Sequence, residues 1–333
     1  MADDNKTVLV LGAQGGIGGE VARQLRDTGW QVRALRRGDV PASEPRDGML
    51  WLRGDAMDAE GIALAARGCS VIVHAVNPPG YRRWGELVLP MLGHTLAAAR
   101  GEGATVVLPG TLYNYGPDAF PTPDEDGPQN PPTRKGAIRV RMEQRLREET
   151  ERGGMRALIV RAGDFFGPGA RNNWFSQALV KPGRTVSRIA LPGEPGVGHQ
   201  WSYLPDVART MVELLARREQ LAPFARYHMG GHWDEDGTRM ADTIRAAMVQ
   251  HGARAPRVAR FPWWLSRVGA PFSQTLREMG ELRYLWRTPV RLDNARLLGL
   301  LGREPHTPWD EAVQTTLASL GCFPRSAERT VPG

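Results

Sequence analysis

From residue 7 onward the chain repeats one unit: a short apolar run, a turn, then a segment with apolar residues every three or four positions. Thr7–Leu11 (TVLVL) predicts a buried strand, and residues 19–25 (GEVARQL) predict a helix with Val21, Ala22 and Leu25 on one face. The same pattern predicts strands over 31–35, 49–53, 70–76, 104–108 and 156–160, and helices over 59–66, 85–100 and 134–152. Strands that are apolar almost throughout and alternate with helices predict a parallel sheet covered on both faces, an α/β, doubly wound Rossmann arrangement. Beyond Arg161 the alternation weakens. Residues 164–198 are rich in Gly and Pro, 204–217 read as one clean helix, and the last hundred residues read as helical pieces broken by Pro and Trp. The division this predicts is a sheet domain over 1–165 and a smaller, mostly helical lobe over 166–330, with 201–217 returning to the first domain. The lobe would sit at the carboxyl ends of the strands, where open α/β sheets bind their ligands.

Composition narrows the classes. A chain of 333 residues with 41% hydrophobic residues can bury a full core. The formal charge of +7 invites a nucleic-acid partner, but the basic residues are interleaved with acids, as in Arg145, Arg147, Glu148, Glu149, Glu151 and Arg152, so none is expected. No apolar run approaches membrane-spanning length, and the start, Met-Ala-Asp-Asp-Asn-Lys, lacks a basic and then apolar leader, so a cytoplasmic protein with no membrane segment is expected. Cys69 and Cys322 stand too far apart in sequence for metal-ligand spacing, and no metal is expected. Of 43 basic residues only Lys6, Lys135 and Lys181 are lysines, leaving 40 arginines. Each lysine therefore merits inspection.

The first strand is followed at once by Gly12-Ala13-Gln14-Gly15-Gly16-Ile17-Gly18 and a helix. Gly12 permits a tight turn, Gly15 lets backbone approach a pyrophosphate, and Gly18 lets the helix pack closely on the strand. The helix N-terminus then faces the phosphates, so Gly12, Gln14, Gly15, Gly16, Ile17 and Gly18 are expected to hold a dinucleotide. The second strand ends in Arg36-Arg37. A guanidinium grips a phosphate with two hydrogen bonds, which favours NADP, with its 2′-phosphate, over NAD.

This Gly-x-x-Gly-x-x-Gly turn resembles that of the short-chain dehydrogenase/reductase superfamily, in its extended and atypical branches. Val71–Val76 (VIVHAV) resembles the superfamily's fourth strand, Leu108–Gly116 its fifth strand and turn, Val160–Pro168 its sixth, and Tyr203–Ala208 the later segment where an acid opens a helix. The resemblance covers roughly residues 7–217. It implies an adenine-binding role for Asp55, with Ala56 beside it, and a place along the cofactor for Ala75; as residues alone, Asp55 reads equally as a helix cap. The superfamily's catalytic set is a Ser or Thr after the fifth strand and Tyr-x-x-x-Lys on the next helix. Counting back from Tyr115 places Thr111 at the hydroxyl position, and a Glu that usually follows the lysine by four matches Glu143. Arg139 then stands at the lysine position and Lys135 at the tyrosine position. The tyrosine is absent. Isoflavone reductase-like members resemble this chain in that substitution, whereas the lobe and Arg161–Pro168 look like the epimerase/dehydratase branch.

Arginine cannot release a proton under these conditions, but lysine can once desolvation and a neighbouring cation lower its pKa. The expected activity is therefore an NADPH-dependent reductase acting on a carbonyl or conjugated double bond of a small apolar or aromatic substrate. Lys135 would be the acid/base, Thr111 the orienting hydroxyl and Arg139 the hold on ribose or phosphate. Tyr113, Asp164, Phe165 and Trp201 would contact substrate, with Phe166, Trp174, Trp263, Trp264, Trp286 and His199 as further pocket candidates. Two alternatives stand beside it: a non-catalytic NADP(H) sensor of the NmrA-like kind, and a nucleotide-sugar epimerase or dehydratase.

Overall fold

Alternate side chains of Thr7–Leu11 (β1) point to opposite faces of a sheet, and both faces are covered. Val8 and Val10 pack with Val21, Ala22 and Leu25 of Gly16–Asp27 (α1), whereas Leu9 and Leu11 join Ile62, Leu92 and Leu96 on the other side. The computed structural model describes residues 5–78, 83–269 and 274–324. After α1 come Gln31–Arg36 (β2), Ser43–Arg46 (β3), Met49–Arg53 (β4), Ala59–Ala66 (α2), Val71–His74 (β5), Trp84–Glu102 (α3), Thr105–Thr111 (β6), Arg134–Glu151 (α4) and Arg156–Ala162 (β7). The second half contributes Asp164–Phe166 (β8), Arg188–Leu191 (β9), His199–Tyr203 (β10), Leu204–Leu215 (α5), Phe224–His228 (β11), His232–Asp234 (β12), Arg239–Gln250 (α6) and Arg257–Arg260 (β13). Among the described residues four α-helices follow: Trp263–Gly269 (α7), Gln274–Glu281 (α8), Ala295–Leu301 (α9) and Trp309–Ser319 (α10).

The main sheet runs β11-β7-β6-β5-β1-β2-β4-β3 and is parallel except where β3 pairs antiparallel with β4. Strand order reverses beside β1, between β5 and β2, which is where an open doubly wound sheet leaves a crevice at its carboxyl edge. Helix α5 packs on α1 and supplies Val207, Ala208 and Met211 to the same core cluster. Two strands lie outside the sequence pattern. Ser43–Arg46 (SEPR) is a polar edge strand with no apolar alternation, and Phe224–His228 (FARYH) interleaves Arg with aromatics, yet it supplies the last parallel strand by pairing with β7. The lobe likewise holds short strands among its helices, in a three-stranded sheet β12-β10-β8 and a pair β13-β9.

The lobe core is aromatic: Phe166, Phe175, Trp174, Trp201 and Trp286 cluster with Met240, Ile244 and Leu317. Trp201 belongs here, almost wholly buried edge-on to Phe166 and Trp286. Trp264 is the opposite case, 63% exposed. Cys69 and Cys322 are buried free thiols, and burial pushes each up to about 11, so neither is a nucleophile at neutral pH. Among the described residues no helix is long and apolar enough to cross a membrane.

A buried polar network ties the sheet to α4. Arg161 near the end of β7 forks onto Glu143 through one guanidinium edge, Nε donating to Oε1 at 3.0 Å and Nη2 to Oε2. Asn114 donates to the same Glu143 at 2.8 Å, and the Tyr115 hydroxyl meets Arg161 and His228. Burial and the Arg161 charge push His228 down to about 2, so its ring is neutral. The Glu143 and Arg161 side chains are 6% and 0% exposed. Arg161→Met should cost about 3 kcal/mol, because it leaves a carboxylate buried without its counter-charge. Urea unfolding reads this directly, and a Met variant of wild-type stability would contradict it.

Candidate active site

The carboxyl ends of β1, β2, β5, β6 and β7 open into one cavity of about 550 Å³. Its floor is the glycine turn. Gly12 adopts φ +86°, and a Cβ there would sit 2.4 Å from the Ala75 carbonyl oxygen, so only glycine fits. Gly15 N donates to Gly12 O at 2.9 Å, closing the turn and starting α1, whose first amides have no partner within the helix. A Cβ on Gly18 would lie 2.3 Å from Gly12 O and 3.1 Å from the Ala75 Cβ, which is the close helix–strand packing expected of it. Gly16 is roofed by Leu204 and Ala170, so the start of α5 and the loop after β8 fold over the turn. These spaces, which side chains would fill, fit a dinucleotide backbone.

Gly12, Gln14, Gly15, Gly16, Ile17, Arg36, Arg37, Asp55, Ala56 and Ala75 all line the cavity. Arg36 and Arg37 differ in state. Arg36 is buried and ion-paired with Glu44 of β3, while Arg37 is exposed at the cavity rim. Asp55 is not the helix cap: its Oδ1 accepts from Met57 N at 2.9 Å, and Asp58 caps α2 by accepting from Gly61 N.

Thr111, Tyr113, Lys135, Arg139, Asp164 and Phe165 line the same cavity. Thr111 ends β6, and its hydroxyl accepts from Tyr113 N at 3.3 Å, which leaves its own proton to donate elsewhere. Lys135 lies in the first turn of α4, whose cap is Thr133 accepting from Gly136 N at 3.0 Å. The Lys135 ammonium pairs with Glu278 of α8 at 2.7 Å. Burial holds its pKa below the ordinary lysine value despite that pairing, and Arg139 adds to the depression. Arg139, one turn on, donates to Pro109 O at 3.3 Å and lies over the Trp84 ring. Glu143, two turns on from Lys135, does not reach the cavity; it is consumed by Arg161.

Two expectations are corrected. Trp201 does not line the cavity, because its strand position turns the indole into the lobe core. His199 is not a cavity residue either: it stacks on Trp286 at 3.6 Å and borders a separate void of about 10 Å³. His199 acts instead behind Asp164, its Nε2 lying 2.9 Å from Oδ2, while Tyr113 Oη donates to Oδ1. The pattern of the sequence shows none of these three as partners: the pairing of β8 with β10 brings Asp164 and His199 together, and Tyr113 comes from the turn after β6. His74 was also missed as a lining residue. It ends β5 buried, and burial together with Arg139 pushes it down to about 3, so it faces the cavity neutral with Nε2 unpartnered among the described residues.

Comparison with solved structures gives the same architecture. A dTDP-glucose 4,6-dehydratase double mutant, DesIV from Streptomyces venezuelae, solved with NAD and DAU bound, superposes with a TM-score of 0.69 at 20% identity, covering 94% of this chain and 96% of that one. WbmH of Bordetella bronchiseptica, solved with NAD+, gives 0.68 at 17% identity over 94% and 97%. A UDP-galactose 4-epimerase gives 0.69 at 20% identity over 94% and 98%. No curated protein matches significantly by sequence. At these identities the superpositions establish the fold. The sequence model of the NAD dependent epimerase/dehydratase family matches residues 8–230, from the first strand through the glycine turn, Lys135 and Asp164 to the end of β11, and the chain belongs to that family.

Proposed function

We propose that the protein is an NADPH-dependent reductase that delivers hydride to a carbonyl or conjugated double bond of a small, apolar or aromatic substrate. The observation that carries this reading is the convergence of Thr111, Lys135 and Arg139 with the glycine turn on one cavity. Bound NADPH supplies the hydride. The Thr111 hydroxyl orients the substrate oxygen, and the Lys135 ammonium gives up the proton that the oxygen gains. A lysine whose pKa burial has lowered is the better acid for that step. Arg139 would hold the ribose or phosphates of the cofactor, and its fixed guanidinium charge keeps Lys135 from binding its proton too tightly. Phe165 and Trp174 supply the apolar wall. Trp174 is backed by Trp286 of the aromatic core.

Arg37 is proposed as the 2′-phosphate contact, with Arg36 braced behind it by Glu44. Arg37→Ala should weaken NADPH roughly tenfold or more, the loss of one charge-assisted pair, and leave NADH nearly unchanged. Titrations of cofactor fluorescence test this, and equal losses for both cofactors would remove the NADP assignment.

The relatives in fold support a second reading, conversion of a nucleotide sugar, since solved neighbours are a UDP-galactose 4-epimerase and a dTDP-glucose 4,6-dehydratase. One experiment separates the two. NADPH consumption is followed against a panel of small aromatic aldehydes, ketones and enones, in parallel with NAD+-supported conversion of UDP-galactose and dTDP-glucose. Turnover of the sugars alone would overturn the reductase reading.

A further inference from the structure

Lys135 sits on a helix of the sheet domain, yet the carboxylate that meets it comes from the lobe. Glu278 lies on α8, and Nζ and Oε2 are 2.7 Å apart with the two side chains only 17% and 14% exposed. The same lobe helix makes a second tie one turn later, where Glu281 accepts the backbone N–H of Arg134 at 3.2 Å. Helix α8 therefore reads the first turn of α4 through two carboxylates, at the point where the amides of α4 lack partners within their own helix. From this geometry we propose that Glu278 is the positioning residue for Lys135: it aims the ammonium into the cavity and sets how tightly its proton is held. The proposal deepens the reductase reading and rests on it for the consequence to catalysis, though not for the pairing itself.

The charges around Lys135 fix the direction of the effect. Burial and Arg139 both disfavour the ammonium, whereas Glu278 and, more weakly, Glu281 favour it. Tyr113 and Asp164 share the cavity, and there the Asp164 carboxylate is engaged by Tyr113 and His199. His74 is neutral. Removing the Glu278 charge leaves desolvation and Arg139 without their main opponent, so the amine must lose its proton at lower pH. It also loses one hold on its direction, because Glu278 contacts the tip of its four-carbon stem.

The three-lysine composition makes the test specific. Lysine labelled with carbon-13 at Cε gives three signals, and substituting each lysine by Arg assigns them. In the full-length protein Glu278→Gln should move the Lys135 titration to lower pH, with Lys6 and Lys181 as unchanged internal standards. Labelling of Lys135 by fluorodinitrobenzene at pH 8, read by peptide mass, should rise about tenfold, since the neutral amine is the reactive form. Glu278→Asp, which keeps the charge, should restore most of the wild-type titration. A Lys135 titration that is unmoved in the Gln variant overturns the proposal whether or not any substrate is found. Should Gln shift the titration while no carbonyl or enone consumes NADPH in the wild type, the reductase reading falls and the pairing stands. Where a substrate is turned over, Glu278→Gln should move the alkaline limb of the kcat profile to lower pH with NADPH affinity unchanged; an unmoved limb would refute the catalytic consequence.

Discussion

Gly18→Val should abolish dinucleotide binding and destabilise the fold by at least about 3 kcal/mol. The reason is steric and local. A Cβ at residue 18 would sit 2.3 Å from the Gly12 carbonyl oxygen and 2.8 Å from its carbonyl carbon, and both are backbone atoms of the turn that the cofactor must approach. Backbone cannot swing aside as the end of a flexible side chain can. Either α1 lifts from β1, separating Val21, Ala22 and Leu25 from Val8 and Val10, or Gly12 leaves the φ +86° that shapes the turn. Each response deforms the floor of the cavity. Gly18→Ala should show the same defect in weaker form, and Gly29→Ala provides a comparison: that glycine also has positive φ, but open space surrounds it, so its cost is conformational only and cofactor binding should persist. NADPH and NADH titrations with urea unfolding measure both consequences. A Val variant that binds either cofactor with wild-type affinity would show that the turn does not hold the dinucleotide.

How far such a site can be read from sequence depends on whether its parts are local. Gly12 to Gly18 form one turn between one strand and one helix, so their order in the chain already states their geometry, and the apolar runs of β1, β2, β4, β5, β6 and β7 announce a covered parallel sheet for the same reason. Lys135 and Arg139 are one helical turn apart, and the cavity holds both. What escaped is non-local. Glu278 meets Lys135, Glu143 meets Arg161 and His199 meets Asp164 across gaps that no periodicity spans. Trp201 shows the converse error. Its composition suits a pocket wall, but on β10 the residues alternate between faces, and position 201 falls on the face buried against Phe166. The strand β11 was hidden because Arg226 breaks its apolar run, although that arginine is itself half-buried and donates to Glu125 O and Asp126.

Lys135→Met should lower kcat for the reductase reaction by a factor of about 10² to 10⁴, the usual worth of a positioned general acid, while NADPH affinity changes little. Methionine matches the length of the stem, so the loss is of charge and proton rather than of packing. The pH profile carries the more specific claim. A reduction needs the ammonium form, so the wild-type rate falls as pH rises through the lowered Lys135 pKa, and the Met variant should lack that limb. Lys135→Arg then divides the two things an ammonium can do. Arginine keeps a positive charge opposite Glu278 and can polarise a carbonyl oxygen, but it cannot release a proton at any pH the protein survives. If the chief role is to give the proton, the Arg variant is as slow as the Met variant; if the role is charge alone, Arg restores most of the rate and its alkaline limb disappears. A Met variant with kcat within threefold of wild type would exclude Lys135 from the chemistry, and would direct attention to the Tyr113 hydroxyl, which faces the same cavity with Asp164 and His199 in line behind it.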